Sequence, residues 1–437
     1  MLDIKFIRNH PDKVKESCKQ KHIKVDVDLL LEVDKKRRET LQALEDMLAQ
    51  KNRASKVISR PKVKEDKSSS SPFATARVDE KEKRKLILEM RELDKNSDRL
   101  TKTLKELEGE FNNLMLQIPN LPFDDVPVGK DEKENVVLKE WGEPTKFDFQ
   151  PKNYLELAEN LDLIDVKRAA KASGTRFGYL KREAALLEFA LINFTFDTLT
   201  KEGFIPIIPP IMLKPEMLEK SGHLSEKDKP ERYFIEKDNV YLAGTAEQPI
   251  AAMHADEVFE EKDLPRRYLG FSTCFRREAG AYGKDTKGIL RVHQFDKIEM
   301  FSICHPEKTR EEHQFLLSCQ EKLMRSLKIP YRVIQICTGD LGFPAAACYD
   351  VEAWFPGENR YRETHSTFND TDFQTRRLNI RYRDQKTKKL EFTHALNGTA
   401  FAIGRTLIAI IENYQQKDGK IFVPEVLQKY LNFKTIR

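Results

Sequence analysis

Apolar side chains recur at Leu86, Met90, Leu93, Leu100, Leu104, Leu107, Phe111, Leu114 and Ile118, in steps that alternate between four and three. Ser97 fills the one polar slot. A 3.5-residue repeat sustained over more than four heptads is the seam of a coiled coil. Residues 29–59 carry a less regular stripe of Leu30, Val33, Leu41, Leu44, Met47, Leu48, Val57 and Ile58, and neither segment contains proline. The two helices predicted at about 29–59 and 74–118 are separated by Arg60-Pro61 through Ser71-Pro72, whose two prolines and four serines read as an exposed turn. Two helices of similar length joined by a turn fold back as an antiparallel hairpin. At 1.5 Å per residue the second would reach on the order of 60 Å. Such an arm suits dimerisation, spacing or RNA binding, and the heptads do not choose among them.

A chain of 437 residues is too long for one core and is expected to hold two domains. The run Ile118-Pro119-Asn120-Leu121-Pro122 ends the arm, expected over 1–118. Residues 119–150 read as a linker with short strands around Val136-Val137-Leu138. From Leu155 helices alternate with short β-branched strands and glycine turns, which predicts an α+β domain over 151–437. Charge is unevenly spread. Residues 1–118 hold 28 Lys and Arg against 22 Asp and Glu, so this end carries all of the net +5 and suits an acidic partner. The six cysteines, at 18, 274, 304, 319, 337 and 348, form no C-x-x-C pair, which favours reduced, buried thiols. No run of eighteen apolar residues appears, and the first residues resemble neither a signal nor a transit peptide, so a cytoplasmic protein without a membrane span is expected.

The chemistry concentrates in Phe275-Arg276-Arg277-Glu278-Ala279-Gly280, Thr286-Lys287-Gly288 and Arg291-Val292-His293-Gln294-Phe295-Asp296-Lys297-Ile298-Glu299. Alternating polarity around a glycine-rich middle predicts two antiparallel strands joined by a long loop. Such a hairpin points Arg276, Glu278, Phe295 and Glu299 toward one cleft, where a guanidinium suits a phosphate and an aromatic face suits a purine. A salt-bridged structural hairpin would use the same residue types.

As an ordered set, these residues resemble motif 2 of the class II aminoacyl-tRNA synthetases, in the form found in bacterial-type seryl-tRNA synthetases. Asn397-Gly398-Thr399-Ala400 followed by Ala402-Ile403-Gly404-Arg405-Thr406-Leu407 is similar to motif 3 of that class. Gly203-Phe204-Ile205-Pro206 with Pro209-Pro210 resembles motif 1, whose helix and strand form the dimer interface. Gly244-Thr245-Ala246-Glu247-Gln248-Pro249 resembles the serine-recognition loop of the family. The other synthetase class's signatures, a P-loop and a G-x-G-x-x-G fingerprint are all absent.

The resemblance implies a ligase that forms seryl-adenylate from L-serine and ATP with Mg²⁺, then passes the seryl group to tRNA(Ser). Transfer to tRNA(Sec) is implied only where that tRNA exists. The fold implied is a coiled-coil hairpin plus a catalytic domain with an antiparallel sheet flanked by helices. Arg276, Glu278, Glu363 and Arg405 would be the catalytic set. Thr245, Ala246, Glu247, Arg276, Glu299, Asn397 and Thr399 would hold serine. Arg276, Arg277, Glu278, Val292, Phe295, Glu363, Thr364, His365, Ser366 and Arg405 would hold ATP, with Glu363 and Ser366 on the Mg²⁺. The helical arm would read the long variable arm of the tRNA by shape and backbone contacts. A homodimer is implied, the arm of one subunit serving a tRNA whose acceptor end enters the other.

Three positions depart from the family pattern. His365 and Phe368 stand in Arg362-Glu363-Thr364-His365-Ser366-Thr367-Phe368-Asn369-Asp370, where small residues are usual, and Tyr154 replaces a frequent histidine. His365 is either a titrating addition near the phosphates or a packed histidine. Two other readings are weaker. A ligase for a carrier protein would lack the arm. A non-catalytic RNA-binding paralogue would be expected to lose Arg276, Glu278, Glu363 or Arg405, and all four are present.

Overall fold

The heptads form the helices they predict. In the computed structural model, which describes residues 1–58, 80–225, 228–279 and 287–437, α1 spans Val27–Ile58 and α2 spans Glu80–Gln117. The turn expected at 60–72, the first residues expected of the second helix (74–79), and Gly280 and Thr286 of the glycine-rich loop lie outside the described residues. The helices pair antiparallel: the Arg37 guanidinium sits 4.7 Å from the Phe111 ring centre, and Lys51 forms an ion pair with Asp94. Leu104 and Leu114 are buried, whereas most other seam residues of α2 are half-buried. A two-helix seam has no third layer to cover it.

At one end of this arm Asp34 is fully buried and accepts from Arg8 at 2.7 and 2.9 Å, from Arg38 at 3.1 Å and from Arg37 at 3.3 Å. Burial alone would raise its carboxyl pKa, but the three guanidiniums outweigh that and hold it below the ordinary value. Asp34→Ala is therefore expected to lower the stability of the hairpin by about 3 kcal/mol, because it strips the arginines of a buried partner. With a depressed folded-state pKa, the contribution is complete above the ordinary aspartate range and is lost as pH falls through the native value. Urea unfolding of parent and variant, followed by circular dichroism at several pH values, checks both the size and the sign.

The residues group into two compact units. One comprises Ile4–Lys15 and Lys24–Ile118, and the other Met1–Asp3, Glu16–Ile23 and Pro119–Arg437. The larger unit is built on eight strands: β1 Val136–Trp141, β2 Ile205–Ile207, β3 Arg266–Phe275, β4 Gln294–Cys304, β5 Tyr331–Gln335, β6 Ala347–Phe355, β7 Arg360–Thr371 and β8 His394–Ala402. Their order across the sheet is β1-β5-β6-β7-β8-β4-β3-β2. Every neighbouring pair is antiparallel except β2 with β3. The short strand expected around Val136 thus becomes an edge strand, running from Val136 opposite Gln335 to Trp141 opposite Tyr331.

One face of the sheet packs on α3 (Arg182–Leu199), α5 (Thr309–Ser326) and α7 (Ile403–Asn413). Ile298, Met300, Leu396 and Ala400 enter this core with Leu187, Leu316 and Leu407. The opposite face carries Phe301, Ile303 and Tyr268 under α4 (Glu247–Met253) and α6 (Phe373–Leu378). Strand alternation thus commits the odd-numbered residues of β4, including Phe295, Lys297 and Glu299, to this second face. Gly270, paired with Glu299, lets α4 settle there: a Cβ at Gly270 would lie 2.5 Å from Ile250 Cδ1 and 3.2 Å from Ala246 Cβ. All six cysteines are buried and free. Among the described residues, no helix is long and apolar enough to cross a membrane.

Candidate active site

The β3–β4 pair brings Phe275 opposite Gln294 and Cys274 opposite Phe295, with residues 276–279 continuing from β3 and 287–293 leading into β4. Around it, Phe275 N–H donates to Ala243 O at 2.9 Å and Arg276 Nε to Gly244 O at 3.2 Å, which ties the Gly244–Glu247 loop to the strand. The Arg276 guanidinium stands 5.4 Å from the Phe295 ring centre.

Glu299 and Glu247 form the floor. Thr245 Oγ1 donates to Glu299 Oε2 at 3.0 Å, and Lys297 forms an ion pair with the same carboxylate. Glu247 receives the Gln374 side-chain amide on Oε1 at 2.7 Å, and His223 Nε2 lies 3.6 Å from that oxygen. Both carboxyls are buried, at 1% exposure for Glu299 and 5% for Glu247. Burial raises the pKa of each, with Lys297 opposing at Glu299, and Gln374, Lys297, Arg232 and Arg276 opposing at Glu247. His223 is pushed down to about 3 by burial and by Arg232, so it is neutral. Asn397 and Thr399, both buried, pair with Phe301 and Glu299 across β8 and β4, completing the floor from the other side.

A second group lies on β7. In a regular strand Glu363 and Ser366, three apart, would face opposite ways. Here Glu352 pairs with Glu363 but Val351 pairs with His365, so Thr364 is an extra residue in a bulge. Glu363 and Ser366 therefore share a face, and Ser366 Oγ donates to Glu363 Oε1 at 3.3 Å. Arg405, near the start of α7, forms an ion pair with Glu363 Oε1 at 3.0 Å and donates from Nη1 to the Glu363 carbonyl, also at 3.0 Å. Desolvation of Glu363 is outweighed by Arg405, Arg276 and Lys297, which hold its carboxyl below the ordinary value.

The same bulge turns Thr364 and His365 inward. Thr364 Oγ1 donates to Val351 O at 3.1 Å and lies 2.8 Å from His365 Nδ1, and the His365 ring packs 5.4 Å from Phe401. Burial pushes His365 down to about 3, so this is a packed, neutral histidine.

Glu278 has a left-handed backbone, φ +52°, and its carboxylate forms an ion pair with Arg291. The guanidinium of Arg277 stands 5.5 Å from the Tyr233 ring centre, and Val292 is buried. The Tyr154 hydroxyl accepts from Ile289 N–H at 3.0 Å and supports the far end of the loop. Thr245, Glu247, Arg276, Phe295, Glu299, Asn397 and Thr399 thus share one sheet face. The side chains of Thr364 and His365 turn away from Glu363 and Ser366, and Ala246 is buried against Gly270. Gln374 and Lys297 are partners of site carboxylates to which sequence reasoning gave no role. Asp350 on β6 pairs with Ser366, and its desolvation, with the nearby charge of Glu363 second, raises its pKa well above the ordinary value.

Residues 1–122 match the family of the seryl-tRNA synthetase N-terminal domain, and residues 233–414 match the tRNA synthetase class II core domain (G, H, P, S and T). The serine--tRNA ligase of Thermodesulfovibrio yellowstonii is 43% identical over 438 residues, covering 100% of both chains. The seryl-tRNA synthetase of Pyrococcus horikoshii, solved in complex with ATP, superimposes with a TM-score of 0.89 at 40% identity, covering 100% of this chain and 99% of that one. The cytoplasmic serine-tRNA ligase of Naegleria fowleri, solved with AMP, gives a TM-score of 0.85 at 34% identity, with 100% and 99% covered.

Proposed function

The chain belongs to the seryl-tRNA synthetase family and is a serine--tRNA ligase, and we propose that the face shared by β3, β4, β7 and β8 is where it joins serine to ATP. The observation that carries this reading is the buried acidic floor. Glu299, held by Thr245 and Lys297, and Glu247, held by Gln374, make a pocket with two carboxylates for a ligand bearing a hydroxyl and an ammonium.

Glu247 accepts from the substrate ammonium, supported by Thr245 and Asn397. Glu299 and Thr399 meet the substrate hydroxyl. Arg276 holds the serine carboxylate and the α-phosphate together, so one carboxylate oxygen attacks the α-phosphorus as its bond to pyrophosphate breaks. The terminal ribose hydroxyl of tRNA then attacks the acyl carbonyl, and AMP leaves. No enzyme nucleophile is required, so the residues work by positioning and by stabilising charge. Phe295 stacks on the adenine, Glu278 and the Val292 backbone meet its edge, Arg277 supports the nucleotide, and Arg405 clamps the γ-phosphate. Thr364 and His365 support Glu363 and Ser366 from the core side.

The paired oxygens of Glu363 and Ser366, 3.3 Å apart beside Arg405, fit a hard cation that takes most of its remaining ligands from phosphate and water. Mg²⁺ bound there would neutralise phosphate charge. Glu363→Gln is expected to slow pyrophosphate release and to raise the Mg²⁺ concentration at half-maximal rate. An unchanged Mg²⁺ dependence would remove Glu363 from this role.

Ionised Glu247 and Glu299 are what serine needs. Because burial raises both pKa values, affinity for serine is present at high pH and is lost as pH falls through those raised values. The KM for serine is therefore expected to climb on the acid side while still above the ordinary glutamate pKa of about 4.3. Steady-state KM measured across pH 5–8.5 checks this.

The arm is the proposed tRNA contact, supported by its match to the family's N-terminal domain and its excess of cations. Affinity for tRNA is expected to fall steeply with added salt, and a flat salt profile would argue against backbone contacts. The large exposed apolar residues Leu186 and Phe189 on α3, with Ile205 and Ile208 beside the motif 1 prolines, support a homodimer. The proposed setting is the cytoplasm, and charging of tRNA(Sec) is proposed only where that tRNA is available.

A further inference from the structure

The segment Thr371-Asp372-Phe373-Gln374, which leads from the end of β7 into α6, has no part in the chemistry set out above. Gln374 is fully buried, and its amide nitrogen donates twice: to Glu247 Oε1 at 2.7 Å and to the Ser221 carbonyl at 3.2 Å. Both N–H groups are thereby spent on acceptors fixed in the fold. Glu247 is also anchored through its backbone, whose N–H donates to Thr245 Oγ1 at 3.3 Å.

We infer that Gln374 is a positioning residue for substrate selection: it locks one oxygen of the Glu247 carboxylate, so that the other is aimed at the ammonium group of serine. The inference rests on the reading that Glu247 binds that ammonium. The chemistry of the side chain supports the assignment. A carboxylate meant for a cation must stay charged in a site where burial works against it, and a donor on one oxygen favours the charged form. The donor must itself be neutral. Lysine or arginine would cancel the charge on Glu247 and repel the incoming ammonium. A carboxylate would repel Glu247. Glutamine supplies a donor of suitable length without adding charge. It also joins two parts of the site, since α6 continues from the strand that carries Glu363 and Ser366.

The test uses the full chain in serine-dependent pyrophosphate exchange, comparing Gln374→Met and Gln374→Glu, both near-isosteric, with Glu247→Gln as reference. A hydrogen bond to a charged group predicts that Gln374→Met raises the KM for serine by about tenfold to a hundredfold, with little change in kcat or in the KM for ATP. Gln374→Glu is expected to resemble Gln374→Met at pH 8. Its KM should recover toward the parent as pH is lowered, because a protonated carboxyl can donate as the amide does. A merely structural role would raise both substrate KM values together and would give no such recovery, and either result overturns the inference. If Glu247→Gln raises the serine KM while Gln374→Met leaves it unchanged, the inference fails alone. If Glu247→Gln has no effect, the reading of Glu247 fails and takes the inference with it.

Discussion

Arg276→Ala is expected to lower kcat/KM for adenylate formation by at least ~10³-fold, with kcat falling more than either KM rises. In the proposed arrangement the residue stands between the two reactants: its guanidinium is 5.4 Å from the Phe295 ring, and its Nε reaches Gly244 beside the Thr245–Glu247 loop. One planar fork can hold a carboxylate and a phosphate in line, and the charge it opposes grows as the pentavalent α-phosphorus forms. Arg276→Lys keeps the charge but loses the fork, so it should recover only a small part of the rate. Single-turnover pyrophosphate release separates the chemical step from binding. An equal loss in serine binding, ATP binding and stability would mean that Arg276 merely holds the loop.

Glu299→Ala is expected to raise the KM for serine by about 10²-fold or more while leaving the KM for ATP nearly unchanged. Glu299 is 1% exposed, and Thr245 and Lys297 already occupy part of its capacity. In the proposed arrangement a hydroxyl-bearing substrate fills the rest, whereas alanine would leave the buried carboxylate without that partner. Sites of this kind reject the analogue lacking the hydroxyl by large factors. Threonine retains the hydroxyl and must be excluded by volume, so removing Glu299 should weaken the preference for serine over alanine more than that over threonine. Equal losses for serine and ATP would refute the assignment.

The parts of this protein that were legible in the sequence are those written locally. Leu93, Leu100, Leu104 and Leu107 announce a helix seam because each contact is repeated a few residues on. The β3–β4 hairpin is equally local, its partners lying on either side of one loop. The edge strand Val136–Trp141 was less visible, because its partner Tyr331–Gln335 lies nearly two hundred residues away and its own side chains are largely exposed. His365 marks the sharpest limit. Whether it met the phosphates or the core depended on the register between β6 and β7, and the extra residue at Thr364 decided it by turning Glu363 and Ser366 one way and His365 the other. A bulge leaves no periodic trace in one sequence. Gln374 escaped notice for a related reason, since its partner Glu247 is 127 positions away.

The central claim is that the floor built by Thr245, Glu247 and Glu299 activates serine and no other amino acid. Pyrophosphate exchange measured with each common amino acid in turn, at fixed ATP and Mg²⁺, tests it most directly. The expected result is exchange that depends on serine, with alanine and threonine at or near background. Exchange supported equally by alanine or threonine, or by no amino acid at all, would contradict it.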